Sequence, residues 1–165
     1  MKAEFDVKLS AEDLYGFNMY QTYTSIHGFI SILMTAVFWI TAGFSFQQGN
    51  IGYGFLYIAA GILFLVYMPL TLWFRSKKTI ETNSILSGVL HYEVSEDAIK
   101  VTQGEETGEL PWNLVYKVVV NSKRILIYSN RINAYIIPRE QLGENYEGLR
   151  EIAEKKLEKY RVKFR

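Results

Sequence analysis

Two long apolar runs stand out when hydrophobic and polar positions are followed along the chain. From Leu14 to Phe74 there is no Lys, Arg, Asp or Glu, and the pattern predicts helical spans at residues 28–46 and 54–74. With a rise of about 1.5 Å per residue, roughly 20 residues cross the ~30 Å hydrocarbon core of a bilayer. Because a water-soluble helix needs a polar face, the pattern favours a transmembrane hairpin over a pair of buried soluble helices.

The basic residues at one end of the hairpin predict its direction. Arg75, Lys77 and Lys78 follow the second span directly, whereas the short turn between the spans has no basic residue. Basic residues concentrate on the cytoplasmic side of membrane proteins, so we expect both termini in the cytoplasm. A mixed-charge segment precedes the first span, unlike a cleaved signal peptide, and we expect it to be retained.

The composition of the spans predicts an anchor rather than a transport path. Neither span carries a charged side chain, the kind of group that usually marks ion or proton paths. Ser31 and Thr35 form a small-residue stripe, Gly61 allows close helix contact, and Pro69 is expected to kink the second helix. Packing within the hairpin is the favoured interpretation, and a pore built by a homo-oligomer stays open as the alternative.

Apolar and polar residues alternate strictly over residues 2–9, which is the period of a half-buried strand. An isolated strand is unstable, so we expect this one to join a sheet built by the C-terminal region. Ser10 is the predicted N-cap of a helix with Glu12 and Asp13 in its first turn. We expect that helix, which begins at Ala11, to run on into the first span.

After the second span the chain changes to short β-strands with turn residues between them. Strands are predicted at residues 89–95, 98–103, 107–111, 115–121, 124–129 and 133–137. Three- and four-residue steps between apolar positions predict a closing helix over residues 144–163.

The predicted fold class is therefore an α+β membrane protein. A two-helix transmembrane hairpin is combined with a small antiparallel β-domain that is capped by a C-terminal helix. This architecture is like that of a pleckstrin-homology (PH) domain. The predicted divisions are an N-terminal strand and helix (1–27), the hairpin (28–78) and the cytoplasmic PH-like domain (79–165).

Several short motifs resemble the YcxB-like family of bacterial membrane proteins. They are the opening segment at 5–17, the turn at 95–97, the segment around Trp112 and the run at 136–139, so the likeness extends over nearly the whole chain. The resemblance implies a PH-like module anchored in the bacterial cytoplasmic membrane. The family has no established activity, so the resemblance implies no functional residues.

No catalytic, metal-binding or nucleotide-binding motif is recognisable, so we expect no enzyme activity and no cofactor. The two histidines, His27 and His91, lie on different predicted elements, there is no cysteine, and zinc takes three or four ligands. A net charge of +1 gives no reason to expect nucleic acid as a partner. Trp112 follows Pro111 between strands and is expected to plug one end of the core; the alternative is an exposed anchor for a partner.

Positive charge collects at the C-terminal end of the chain. Over the last eleven residues six basic side chains outweigh Glu158, which gives 6 − 1 = +5. The basic residues are Lys155, Lys156, Lys159, Arg161, Lys163 and Arg165. Near an anionic leaflet such residues gain about 1 kcal/mol each, which predicts lipid contact. The favoured alternative is that they complement a helix C-terminus and keep its surface soluble.

These features predict a membrane-anchored interaction or regulatory module. Its partners would be the lipid bilayer and a cytoplasmic protein bound by the PH-like domain. The alternative is a subunit of a membrane enzyme or transporter whose active site is completed by another chain.

Single cysteines introduced into this cysteine-free chain test the predicted orientation. In Gln48→Cys, the thiol in the turn between the spans should react with a membrane-impermeant maleimide added to intact cells. In Asn130→Cys, the thiol should react only after the cells are opened. Labelling of position 130 from outside intact cells would overturn the orientation.

Overall fold

The computed structural model describes residues 2–164, apart from the side chains of His27 and Phe164. Its contacts divide the chain into two compact units. One unit joins the residues up to Phe17 with those from Lys78 onward, and we call it the β-domain. The other unit is Asn18–Lys77 and contains the helical hairpin.

Helices and strands follow the predicted order. The helices of residues 2–164 are α1 (Ala11–Tyr23), α2 (Ile26–Gln47), α3 (Ile51–Thr82), α4 (Ser84–Ser87) and α5 (Asn145–Lys156). The strands are β1 (Ala3–Lys8), β2 (Val89–Val94), β3 (Ala98–Gln103), β4 (Glu106–Pro111), β5 (Lys117–Val120), β6 (Arg124–Tyr128), β7 (Ala134–Pro138) and β8 (Val162–Phe164). The predicted α+β class is confirmed, with an apolar two-helix hairpin, antiparallel sheet and a C-terminal helix. The six strands predicted after the hairpin lie within a residue or two of β2–β7.

The hairpin is closed by a tight turn and by ring contacts between its helices. Gly49 in the turn has a φ of 76°, a left-handed conformation that glycine adopts without strain. A Cβ on Gly61 would overlap the Trp39 indole, which confirms that this glycine allows close helix contact. The rings of Phe38 and Phe64 lie 5.5 Å apart between centroids.

The helix that contains the second predicted span is longer than the span. α3 covers Ile51–Thr82, so it continues well past the predicted end at Phe74, and Pro69 lies inside it. No glycine or proline follows Phe74 until after Asn83, whose side-chain oxygen accepts hydrogen bonds from the first backbone N–H groups of α4. The helix therefore ends at the next helix start rather than where the apolar run ends.

The prediction that one helix continues from Ala11 into the first span is wrong. α1 ends at Tyr23, and Ser25 is extended, with φ −99° and ψ 169°, where it precedes α2. The Ser25 hydroxyl donates to the carbonyl oxygen of Thr22 at 2.6 Å. Serine side chains compete in this way with helical hydrogen bonds, which explains the break.

The first sheet confirms that the N-terminal strand joins the C-terminal region. Its strand order is β1-β2-β3-β4, all antiparallel, with Phe5 opposite Tyr92. The inward side chains of β1 are Ala3, Phe5 and Val7, and each is at most 6% exposed. The Phe5 and Tyr92 rings stack at 5.5 Å between centroids and 7° between planes.

The second sheet has the order β7-β6-β5-β8, and its last strand corrects a prediction. β8 runs parallel to β5, with Val162 opposite Val118. The helix predicted over 144–163 therefore ends at Lys156, and Leu157 is already extended. Pairing with β5 satisfies the backbone of this segment, and the alternation in Val162-Lys163-Phe164 is the strand signal that the helical reading missed.

Phe5→Ala tests whether β1 belongs to the cooperative core of the β-domain. The substitution removes a ring that is 6% exposed and stacked on Tyr92, and such core truncations cost about 3–5 kcal/mol. We expect the free energy of unfolding to fall by that amount. Fluorescence of Trp112 during denaturant unfolding measures it, with Trp39 and Trp73 replaced by Phe in the background.

Lys8→Ala is the matched control on the same strand. Lys8 is exposed, so its truncation should change the free energy of unfolding by less than ~0.5 kcal/mol. If Phe5→Ala were no more destabilising than Lys8→Ala, β1 would be a peripheral strand.

Candidate functional site

One end of the β-domain is covered by α5, and the other end holds an apolar cavity. α5 buries Leu149, Ile152 and Ala153. The cavity has a volume of about 460 Å³, and we call it the open-end cavity. Its lining is Leu9, Ile85, Leu86, Leu90, Tyr92, Val101, Gln103, Glu106, Thr107, Gly108, Ala134, Tyr135 and Ile136. Sites that hold small ligands or anchoring side chains have volumes of about 300–1,000 Å³ and largely apolar linings, so this cavity has the size of a binding site.

The short helix α4 forms one wall of the open-end cavity and is fixed by polar contacts. The Gln103 side-chain amide donates to the carbonyl oxygens of Ser84 at 3.3 Å and Ile85 at 2.9 Å. A Cβ on Gly88 would overlap this amide, so glycine leaves the room that the contact needs. The Asn83 cap holds the start of the same helix. The wall is therefore preformed rather than dependent on a ligand.

Aromatic rings form the floor of the open-end cavity. Tyr92 is 1% exposed, and it meets Tyr135 edge to face at 6.1 Å between ring centroids. Burial raises the pKa of the Tyr92 phenol well above its usual value of 10. The phenol therefore stays neutral at physiological pH, and the floor is suited to an apolar group.

The rim of the open-end cavity on β4 is acidic and open. β4 is the last strand of its sheet, and Glu106 contributes a carboxylate to the lining. Glu105 precedes it in the turn, and Glu109 lies further along the strand. A Cβ on Gly108 would meet only the Val101 carbonyl oxygen, at 3.9 Å. Space at this strand edge is thus available to an incoming chain.

A second, polar cleft lies where α1 packs on β6. Arg124 is 8% exposed; its Nε donates to Asp13 Oδ1 at 3.2 Å and its guanidinium to the Glu12 carbonyl oxygen at 2.8 Å. Gly16 lies against the guanidinium, where a Cβ would overlap it. Asp13 also accepts from the Ser10 hydroxyl at 2.6 Å, and the Asp13 backbone N–H donates back to that hydroxyl, which confirms the predicted N-cap. Since these contacts of Arg124 and Asp13 position α1, we interpret them as structural.

The outer face of the first sheet carries a histidine between two carboxylates. His91 Nδ1 lies 2.6 Å from Asp6 Oδ1, and Nε2 lies 3.2 Å from Glu4 Oε1. The hydrogen bond with Asp6 is the main cause that raises the pKa of His91. Among the side chains that the structure describes, no group of three or more His, Cys, Asp or Glu is placed to hold a metal ion.

Trp112 lies in the core, as its favoured interpretation predicted. It is 4% exposed, and its indole N–H donates to the Ser95 carbonyl oxygen at 2.8 Å. The alternative role as a partner anchor needs an exposed ring, and this structure leaves almost none of its surface to a partner.

The predicted topology-setting residues all lie on α3 beyond its apolar stretch. Arg75, Lys77 and Lys78 are exposed there. This position matches the basic flank on which the orientation was predicted, and the orientation itself stays a prediction.

The predicted C-terminal basic cluster is divided by the structure. Lys155 and Lys156 end α5 and pair with the carboxylate oxygens of Glu96 at 2.9 and 3.7 Å. The bond with Lys155 lowers the pKa of that carboxyl. The other members leave the helix: Arg161 donates to backbone carbonyl groups, Lys159 and Lys163 are exposed, and Arg165 lies outside the described residues.

The chain combines an α+β domain with an apolar two-helix hairpin. This combination fits the class of membrane-associated modules. The YcxB-like protein family matches residues 94–153, from the end of β2 into α5. The resemblance is confirmed over this part, which includes the turn at 95–97, Trp112 and the run at 136–139. The opening segment at 5–17 lies outside the match. No curated protein and no solved structure matches the chain significantly, so the likeness to a PH domain stays a prediction.

His91→Gln tests the histidine–carboxylate contact through its pH dependence. The folded-state pKa is raised, so the contact stabilises fully below the unfolded pKa of about 6.5 and is lost as pH rises through the folded value. The substitution should lower the free energy of unfolding at about pH 5.5 and hardly at about pH 8.5. The loss should stay under ~1 kcal/mol because the side chain is partly exposed and screened by water. Denaturant titrations at both pH values measure it.

Asp6→Asn provides the control, because it removes the main partner of His91 and should flatten the same pH dependence. A loss for His91→Gln that is equal at both pH values would contradict the electrostatic origin.

Proposed function

We propose that the chain is a membrane-anchored interaction module. The hairpin spans the bacterial cytoplasmic membrane with both termini in the cytoplasm. The β-domain is a PH-like scaffold whose open-end cavity binds a segment of a protein partner. The open-end cavity is the observation that carries this proposal.

The exposed apolar surface of the hairpin supports membrane insertion. Two helical segments, Gly28–Gln47 and Ile51–Thr82, are long and apolar enough to cross a membrane, with 11% and 6% of their apolar windows buried. The core helix of a soluble protein would be mostly buried. Phe29, Ile40 and Leu63 are 61%, 61% and 65% exposed. Soluble monomers rarely expose apolar patches of more than a few hundred Å², and this supports lipid as the solvent of the hairpin surface.

The shape and charge of the open-end cavity specify the kind of segment that it takes. Edge strands bind partners by strand addition, in which main-chain hydrogen bonds hold the segment and alternate side chains enter pockets. A segment added along β4 would direct apolar side chains toward Tyr92 and Val101. The carboxylates of Glu105 and Glu106 favour a segment that also carries positive charge. The proposed ligand is therefore an extended, apolar and basic segment of a cytoplasmic protein.

Gly108→Trp in the full-length chain tests this proposal. The inward side chain would fill the open-end cavity, while the 3.9 Å space at Gly108 admits the new Cβ. Tagged protein purified from native membranes should retain a stoichiometric protein partner, and the variant should recover about tenfold less of it, as expected for ~1.4 kcal/mol of lost binding free energy. Quantitative mass spectrometry of the purified complexes measures the recovery.

Glu109→Trp is the matched control, since it adds the same side chain on the outer face of the same strand, opposite Lys100. It should leave the recovery unchanged. Equal recovery with both variants would remove the cavity from the binding site. Catalytic turnover or solute flux by the purified chain alone would refute the interaction module.

A further inference from the structure

Three neighbouring segments of the β-domain expose a mixed aromatic, aliphatic and basic surface. Leu114, Tyr116 and Tyr160 are 60%, 42% and 74% exposed. Lys159, in the turn before β8, and Lys163, in β8, are also exposed. We call these five residues the tyrosine–lysine surface.

Arg161 holds the segments of this surface together. Its Nε donates to the Tyr116 carbonyl oxygen at 3.0 Å, and its guanidinium also donates to that of Val115. The parallel pairing of Val118 with Val162 continues the same contact into β5 and β8. The tyrosine–lysine surface is therefore a fixed part of the fold and not a loose tail.

The surrounding charges leave this surface positive. The Lys117 ammonium lies 4.5 Å from the centroid of the Tyr128 ring and 5.9 Å from that of the Tyr116 ring, which places a third cation at the edge of this surface. Glu158 is one acidic neighbour, and its hydrogen bond with the Tyr160 hydroxyl raises the pKa of that phenol. Glu154 lines a cleft together with Lys159, and its carboxylate pairs with Arg150 at 3.1 Å. Lys155 and Lys156, in contrast, share the single carboxylate of Glu96.

We infer that the tyrosine–lysine surface makes a peripheral contact with anionic lipid headgroups. Tyrosine is enriched at membrane–water interfaces, and basic residues are attracted to an anionic leaflet within a Debye length. Protein–protein interfaces favour tyrosine but are depleted in lysine, so the combination found here selects lipid over protein as the partner. The inference goes beyond partner binding by the open-end cavity and rests only on the membrane attachment in the proposed function.

A fluorescent label at one position tests this contact in the full-length chain. Leu114→Cys carries an environment-sensitive NBD group, and the protein is placed in nanodiscs of phosphatidylcholine with or without about one third phosphatidylglycerol. In anionic discs the NBD emission should shift to the blue. The NBD group should also be largely protected from chemical reduction by aqueous dithionite. At about 1 M salt, where the Debye length is ~3 Å, both changes should disappear.

Charge variants in the labelled protein separate the proposed surface from general basicity. Lys159→Gln and Lys163→Gln should each lower the ratio of lipid-contacting to aqueous label about fivefold. Lys155→Gln removes the same charge from α5, outside the tyrosine–lysine surface, and should have a smaller effect. A label on Ile132→Cys, a position 69% exposed elsewhere in the β-domain, should stay aqueous in all discs.

Each other outcome overturns the inference. A label at position 114 that stays aqueous in both discs excludes lipid contact. A shift of equal size in neutral and anionic discs indicates apolar or protein contact instead. Equal effects of Lys155→Gln and Lys159→Gln would assign the attraction to net charge alone. Incorporation into discs is followed separately by size-exclusion chromatography, and a chain that fails to enter them would overturn the membrane attachment as well.

Discussion

The pairing of β1 with β2 is the constraint on which the rest of the structure depends, because it joins residues that a helical hairpin separates in sequence. Closing a flexible loop of that length would cost conformational entropy that grows with the logarithm of its length. The hairpin reduces this cost itself, since the side-chain amide of Asn18 donates to the Ser76 hydroxyl at 2.9 Å. This contact holds together residues that lie close in sequence to the ends of the hairpin.

The Arg124–Asp13 ion pair is a second link between the N-terminal segment and the strands that follow the hairpin. A largely buried pair loses hydration when it forms, and its attraction offsets that loss only when the geometry is good and other hydrogen bonds complete it. Here the Glu12 carbonyl oxygen and the Ser10 hydroxyl complete it. Apolar residues would pack α1 against β6 in several ways, whereas this pair and the close approach at Gly16 permit one. We interpret the cluster as the device that sets the position of α1.

Sequence patterns predicted the parts of the fold that depend on local order. The alternation at residues 2–9 identified β1 and its buried face, and Ser10 with Asp13 identified the start of α1. The same patterns failed where contacts distant in sequence decide the structure. Leu157 and Tyr160 continue the apolar spacing of α5, yet this segment leaves the helix, pairs with β5 and bonds to the carbonyl group of Tyr116. The Arg124–Asp13 pair spans 111 positions, and no local spacing could indicate it.

The open-end cavity was also beyond sequence reasoning, because its walls come from both sheets and from α4. Unlike the polar cleft, the cavity leaves apolar side chains without a packing partner. Apolar surface that stays in contact with water lacks a stabilising free energy of burial of roughly 25 cal/mol per Å². α5 buries such surface at one end of the β-domain only. At the other end Gln103 and Asn83 hold α4 so that the cavity stays open. These polar contacts keep apolar cavity walls exposed to water, which is unfavourable. Such an arrangement is expected of a site that a ligand fills. We therefore propose the cavity, and not the hydrogen-bonded cluster around Arg124, as the surface for a partner.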